Sequence, residues 1–359
     1  MNGSPVTRPL DVVVLYNEPV LAADNPDWSS EAGVLETVDA VSQALTAHGH
    51  RASRLPVRTD FASILQRLST DPRPDVVFNL CEGLQGAGGG EAQVAGLVEL
   101  SGVPMTGGRL ECLALARDKA RTKWLLSGAG LPTADFFYLD AGEPLPEAAL
   151  REALRHGPAI VKPACEDGSL GIGPDSVVSE FAQLERQVQA IRRRYGPVLI
   201  EQFIAGREFN AAVIALGKPQ LLPLAEIVFD SQSDPHRQLV TYDAKWSPNS
   251  AADLGTPSRC PADVTPELAA KISRVALAAF RAVGCCDYAR IDLRVNAEGQ
   301  VYILEVNANP DLSPSAGLAR SLAAAGLAYD EFIIQLTEQA ARRGPAPVEL
   351  SGANRAGNR

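Results

Sequence analysis

The stretch YARIDLRVNAEGQVYILEVNANP, residues 288–310, decides the fold. Two runs rich in β-branched and apolar residues flank NAEG, a four-residue loop of hairpin length. In the simplest register Val295 lies opposite Gln300, so Asp292 faces Ile303 and Arg290 faces Glu305. Side chains alternate between faces along a strand, which puts Arg290, Asp292, Glu305 and Asn307 on one face. Ala289, Ile291, Leu293 and Leu304 take the other face and suit a core. A slip of one residue scatters the polar set, so the reading depends on register. Pro310 ends the second strand.

Two carboxylates and a carboxamide on one strand face form a hard-oxygen cluster. Mg2+ prefers such ligands, with waters and substrate phosphates completing its octahedron. The same residues also suit an ordinary outer sheet face whose charges offset one another, and the hairpin alone leaves both readings open. Upstream, VKPACEDGSLGIG puts Lys162 at the end of an apolar strand, before Gly168, Gly171 and Gly173. Glycines let backbone N–H groups approach phosphate oxygens, and the lysine adds positive charge. The spacing is not that of a P-loop, and GLQGAGGG at 83–90 lacks the dinucleotide-binding pattern. Lys119 and Lys123 share the helix of DKARTKWLLSGAG, which Asp118 is placed to cap and Gly128 or Gly130 to stop.

Outward from these motifs the chain alternates strands and helices. DVVVLYN and PDVVFNLCEG read as buried strands. Val34–Ala47 reads as a helix with Val34, Val38, Val41 and Leu45 inward, and EAQVAGLVELSG as a helix stopped at Gly102. That alternation predicts a parallel sheet with helices on both faces. SEFAQLERQVQAIRRRYG is an amphipathic helix with Ser179 as its cap. From Val198 longer strands follow: VLIEQFI, FNAAVIAL and LLPLAEIVF. A helix interrupts them, with Thr265 as N-cap, Pro266 at N1, Gly284 beyond its end, and Leu268, Ile272, Val275, Ala279 and Val283 as its apolar stripe. The expected division is 1–110, 111–196 and 197–343, with 344–359 a disordered tail.

Composition sets the class. The 359 residues are 46% hydrophobic and 21% charged, and the net charge of −10 argues against nucleic-acid and anionic-membrane partners. No apolar run approaches the ~20 residues of a membrane span. The N-terminus lacks a signal-peptide core, so the expected location is cytoplasmic. Six scattered cysteines without C-x-x-C spacing argue against zinc, and nothing groups the four histidines into a triad.

The blocks DKARTK, IVKPACEDGSLGIG, VLIEQFIAGREF, YARIDLRV and YILEVNANP occur in the order of the ATP-grasp fold. From Asp11 to Gln339 the chain resembles the D-alanine–D-alanine ligase family. The resemblance implies an α/β, Rossmann-like N-terminal domain followed by a two-lobed α+β ATP-grasp module. It implies ATP and two Mg2+ ions as cofactors, with Mn2+ able to substitute. It implies that Lys123 and Lys162 contact ATP phosphates, with Gly168 and Ser169 in the phosphate loop. Glu201, Gln202, Phe203 and Ile204 would line the adenine pocket, and Glu208 would hold the ribose. Asp292, Glu305 and Asn307 would bind metal, Arg290 would stand by the acyl phosphate, and Lys245 would close over the γ-phosphate on a mobile loop. The family often forms dimers, so a homodimer is expected, with a small carboxylic acid and a small amine as substrates.

The implied chemistry is attack of a carboxylate on the γ-phosphate, then displacement of phosphate from the acyl phosphate by an amine. The departures from the family touch substrate recognition. Glu31 falls where the family holds the first D-alanine's ammonium. Glu82 replaces a histidine, Gly168 a serine, Trp246 a tyrosine and Asp311 a glycine. Ala316 stands where a serine grips the second substrate, with Ser313 and Ser315 close by. Neither Gly168 nor Trp246 carries the hydroxyl of the family's closing network. Glu82 and Asp311 suggest a substrate with an additional positive charge. The expected function is amide formation between substrates other than two D-alanines. D-alanine–D-alanine ligation is the first alternative. Kinase-like phosphoryl transfer and non-catalytic nucleotide binding are alternatives of another class.

Overall fold

The computed structural model describes residues 8–344 except 23, 26–27, 59–60, 85–88, 231–233 and 248. The expected disordered tail beyond residue 344 and the middle of GLQGAGGG lie outside the described residues.

Three strands, β1 (Asp11–Asn17), β2 (Arg51–Val57) and β3 (Val76–Leu80), form a parallel sheet in the order β2-β1-β3. The near-continuous apolar run of β1 follows from burial on both faces. Val12 and Val14 meet Val34, Val38, Val41 and Leu45 of helix Val34–Ala47 on one side. Val13 and Leu15 meet helices Phe61–Ser69 and Glu91–Ser101 on the other. Helix Tyr329–Arg343, the last among the described residues, also packs on this sheet through Phe332, Ile333 and Leu336.

The central layer holds β4 (Phe136–Leu139), β5 (Ala159–Pro163), β6 (Val177–Val178) and β7 (Val198–Gln202), antiparallel in the order β4-β7-β5-β6. Sheet membership thus groups Val198–Gln202 with the central strands, although the sequence assigns residues from 197 to the next segment. Helices Glu147–Arg155 and Phe181–Tyr195 cover one face with Leu150, Leu184, Val188 and Ile191. The cap expected of Ser179 is not made. The helix starts after Glu180 without a side-chain cap, and Gln183 reaches back to accept from the Ser179 N–H at 3.3 Å.

The third sheet holds β8 (Arg207–Ile214), β9 (Gln220–Leu221), β10 (Ala225–Ile227), β11 (Ser258–Arg259), β12 (Tyr288–Val295) and β13 (Val301–Asn307). Its order is β11-β10-β8-β12-β13, with β9 also on β8. LLPLAEIVF is not one strand: Pro223 has no N–H for a ladder and separates β9 from β10. Helix Pro266–Ala282 buries Ile272, Ala276, Ala279 and Phe280; Thr265 Oγ1 caps it, accepting from Leu268 N at 3.3 Å. Among the described residues no helix is long and apolar enough to cross a membrane.

The β12–β13 register departs from expectation twice, and the two one-residue shifts add to two, which restores the face but not the partners. Asn296 Oδ1 accepts from Gln300 N at 2.8 Å, and Gly299 turns with φ +72°. The loop therefore runs one residue longer, and Val295 pairs with Val301. That slip alone would turn Glu305 and Asn307 into the core. A bulge between Asp292 and Leu293 restores them: Leu293 pairs with Ile303, but Asp292 pairs with Glu305 and Arg290 with Asn307. Leu304 is the extra residue and is half-buried rather than in the core, where Ile303 takes its place at 0% exposure.

Candidate active site

The four polar residues of the hairpin do share one face. Arg290 forks onto Asp292, with Nε to Oδ1 at 2.7 Å and Nη2 to Oδ2 at 2.8 Å. From the neighbouring β8, Asn210 Nδ2 donates to Asp292 Oδ1 at 2.8 Å. Asn307 Oδ1 accepts from Asn309 N at 3.0 Å. Glu305 Oε2 lies 3.5 Å from Lys119 Nζ. Burial alone would raise the Glu305 carboxyl. Lys119, Lys162, Arg290 and Lys245 outweigh it and hold the group down to about 2. The donor set is oxygen only and suits a hard divalent cation, and an ammonium already stands as counter-ion at Glu305. For Asp292 to give both oxygens to a metal, Arg290 must let go.

Lys123 and Lys162 arrive from different elements at one carboxylate. Lys123 lies on helix Lys119–Gly128, whose first turn Asp118 caps by accepting from Arg121 N at 3.0 Å. Its Nζ is 3.0 Å from Glu201 Oε2, and Lys162 Nζ at the end of β5 is 2.8 Å from Oε1. Lys123 is 1% exposed, Lys162 7% and Glu201 2%, so three charges are buried together. Burial would raise the Glu201 carboxyl, but the two ammonium groups hold it below the usual range. The sequence placed this segment at the adenine pocket and gave the Glu201 carboxylate no role of its own. Beyond it, Gln202 is exposed, and Phe203 and Ile204 are buried.

Glu208 on β8 accepts from Arg294 Nε at 3.0 Å and Nη2 at 2.8 Å. Arg294 also donates to the carbonyls of Ile204, at 2.8 Å, and Gln238, and lies 4.8 Å over the Phe203 ring. Sequence reading missed Arg294. Alternation along YARIDLRV, which puts it on the face of Arg290 and Asp292, was the available signal.

The glycine loop is pinned from three sides. Lys119 Nζ donates to Glu166 O and Asp167 Oδ1, both at 2.6 Å. Burial would lower its pKa, but Asp167 and Glu305 raise it above the ordinary lysine value. Gly168 and Ser169 both turn with positive φ, +65° and +61°. A Cβ on Gly171 would fall 2.8 Å from Pro163 Cγ and 2.9 Å from the Tyr195 ring, so glycine is required there. The segment carrying Lys245 closes on the same loop. Ser169 Oγ donates to Val240 O at 3.0 Å, Tyr242 N to Ile172 O at 3.1 Å, and Trp246 Nε1 to Gly168 O at 2.8 Å. The hydroxyls missing from Gly168 and Trp246 are thus replaced by a carbonyl and an indole N–H.

A cleft of about 170 Å3 lies between this closure and the N-terminal sheet, lined by Glu31, Glu82, Asp311, Lys245, Trp246 and Arg290. Glu31 Oε2 accepts from Val20 N and Leu21 N at 2.9 and 2.7 Å, shaping the wall. Asp311 accepts from Ser313 N at 2.7 Å and Ser313 Oγ at 3.1 Å. Ser313 and Ser315 are not brought to the cleft: Ser313 is spent on Asp311, and Ser315 Oγ donates to Glu36 Oε1 at 3.4 Å. Asn309, unnoticed in the sequence, ties the end of β13 to the far wall. Its Nδ2 donates to Cys81 O at 3.1 Å and Glu91 Oε1 at 2.8 Å.

Residues 125–338 match the family model described as D-ala D-ala ligase C-terminus. The chain is 33% identical over 310 residues to the uncharacterized protein y4sG of Sinorhizobium fredii, covering 85% of this chain and 87% of that protein. It is 32% identical over 321 residues to the D-alanine–D-alanine ligase of the same organism, covering 87% and 95%. Among solved structures, the D-alanine–D-alanine ligase from Bacillus anthracis complexed with ATP superposes with a TM-score of 0.74 at 20% identity, covering 94% of this chain and 98% of that one. The VanG D-Ala:D-Ser ligase from Enterococcus faecalis gives 0.69 at 18% identity, covering 93% and 100%.

Proposed function

The chain belongs to the D-alanine–D-alanine ligase family of ATP-grasp carbon–nitrogen ligases, and from that premise we propose that it joins a carboxylic acid to an amine through an acyl phosphate, both partners amino-acid-like and other than two D-alanines. The observation that carries this reading is one cleft with two chemistries. Arg290 and Lys245 supply positive charge beside the Asp292–Glu305 pair, while Glu82 and Asp311 supply negative charge in the same space.

In this reading Lys123 and Lys162 exchange Glu201 for the phosphates of ATP, whose negative charge takes its place. Gln202, Phe203 and Ile204 border the adenine, and Glu208, fixed by Arg294, takes the ribose hydroxyls. Asp292, Glu305 and Asn307 would hold Mg2+, which would supply charge neutralisation for the triphosphate. A carboxylate oxygen of the acid substrate bonds to the γ-phosphorus as the bond to ADP breaks. Arg290, released from Asp292, and Lys245 hold the oxyanions. The amine then attacks the acyl carbon, phosphate leaves with the carboxylate oxygen, and the amine's proton passes to a phosphate oxygen. The Trp246–Gly168 bond shuts water out of the step in which it would hydrolyse the acyl phosphate.

A second reading, D-alanine–D-alanine ligation, is favoured by the 32% identical relatives that bear that name. The VanG structure belongs to a D-Ala:D-Ser ligase, so this fold also accommodates another amine. Purified protein with ATP, Mg2+ and a panel of acids and amines separates the readings. The proposal expects ADP and phosphate only when both an acid and an amine are present, with an amide product by mass. D-alanine as the sole productive substrate contradicts its substrate part. A phosphorylated product that needs no amine contradicts the ligase itself.

A further inference from the structure

Around the cleft, negative charge outnumbers positive charge in a way the ligation chemistry does not use. Glu31, Glu82, Glu91, Glu166, Asp167 and Asp311 line it against Lys245 and Arg290. Four of the six carboxylates have work of their own. Glu166 faces Arg117 at 4.0 Å. Asp167 is paired with Lys119 at 2.6 Å. Glu31 holds the Val20 and Leu21 N–H groups. Asp311 is held by the Ser313 backbone and hydroxyl and by Thr37 Oγ1 at 3.4 Å.

Glu82 and Glu91 remain. Glu82 follows β3, and its backbone N–H is fixed by Asn17 Oδ1 at 3.1 Å. Its carboxylate has no hydrogen bond or ion pair among the described residues and is exposed in the cleft. Glu91 is 8% exposed, and Asn309 satisfies only its Oε1. Its Oε2 has no donor among the described residues and is not sealed from the cleft that the side chain lines. A largely buried carboxyl with one oxygen open to the cleft gains when a ligand brings the missing donor. Both line the cleft that Arg290 also lines, so one substrate can meet the guanidinium and these carboxylates together.

We propose that Glu82 and Glu91 form a subsite for a cationic amino group carried by the substrate in addition to its α-ammonium, so that the protein selects a diamino acid or a basic side chain. The inference rests on the ligase reading for its substrate class. One α-ammonium needs one carboxylate, for which Asp311 or Glu31, whose Oε1 accepts no bond among the described residues, suffices. The remaining pair is in excess of what a neutral amino acid can satisfy. Shielding by the cleft walls, together with Asp311 and Asp167, pushes the Glu82 carboxyl up to about 7, and Lys245 opposes them. A cation arriving there relieves that repulsion.

The test pairs ornithine and lysine with their neutral isosteres norvaline and norleucine, in both configurations. Each is offered as acid and as amine, to the wild type, Glu82→Gln and Asp311→Asn. The same pairs are titrated calorimetrically with a non-hydrolysable ATP analogue present, which also reports that each variant is folded. The proposal expects at least ~10-fold tighter binding and higher kcat/KM for the basic member. Glu82→Gln should cut that ratio at least ~10-fold, by more than Asp311→Asn does. Equal affinity for basic and neutral members overturns it, as does a preference that Glu82→Gln leaves intact. Selective binding without turnover on any acid–amine pair would leave the subsite standing and remove the ligase reading. Turnover without selectivity would do the reverse.

Discussion

Asp292 stands opposite Glu305 across β12 and β13 because Leu304 is an unpaired extra residue between Ile303 and Glu305. Inserting one alanine between Leu304 and Glu305 therefore does more than lengthen a strand. Glu305 and Asn307 would fall opposite Ile291 and Ala289 on the core face. Burying those groups without partners is expected to destabilise the protein by more than about 4 kcal/mol, measured by urea unfolding. Near-native stability would mean that the register beyond the bulge is not fixed.

Glu201 is the shared counter-ion of two buried lysines, Lys123 and Lys162. Glu201→Gln leaves their charge uncompensated and is expected to cost about 3 kcal/mol or more. A triphosphate brings the missing negative charge, so the gap between variant and wild type should narrow at saturating ATP. Thermal melts with and without nucleotide measure both. A gap indifferent to ATP would show that the lysines do not meet its phosphates.

Trp246→Phe keeps the ring and removes the N–H that reaches Gly168 O. Loss of one hydrogen bond of about 1 kcal/mol predicts roughly a fivefold fall in kcat/KM. Poorer closure also predicts more phosphate released per amide formed, because water reaches the acyl phosphate. An unchanged phosphate-to-amide ratio would exclude a sealing role for this contact.

Glu82 provides a pH signature. Its carboxyl is raised from the ordinary 4.5 to about 7 by the cleft walls, Asp311 and Asp167, against Lys245, with Glu31 and Arg290 on the same cleft. A raised acid is neutral at pH 6 and charged at pH 8. The kcat/KM ratio of a basic substrate over its neutral isostere should therefore rise through about pH 7 and level off. Glu82→Gln should flatten it. Stability runs the other way: what the neutral form contributes is present below about 4.5 and lost as pH rises through about 7. A flat ratio in the wild type would refute the assignment.

Periodicity and capping chemistry carried most of the fold. Helix Val34–Ala47, the Asp118 and Thr265 caps and the buried run of β1 are local, so the sequence displays them. The face shared by Arg290, Asp292, Glu305 and Asn307 was legible because alternation has a period of two, and two single-residue errors preserve it. What was not legible depends on partners distant in the chain. Nothing local says that Lys123 and Lys162 meet at Glu201, that Lys119 bridges Asp167 and Glu305, or that Arg294 carries Glu208. The bond from the Ser313 hydroxyl to Asp311 is likewise not announced by any local pattern.

The central claim is an acyl phosphate, and oxygen bookkeeping tests it most directly. With the productive acid labelled with 18O in its carboxylate, the account predicts one labelled oxygen in the released phosphate for every amide formed. Amide formation with phosphate free of label would contradict it.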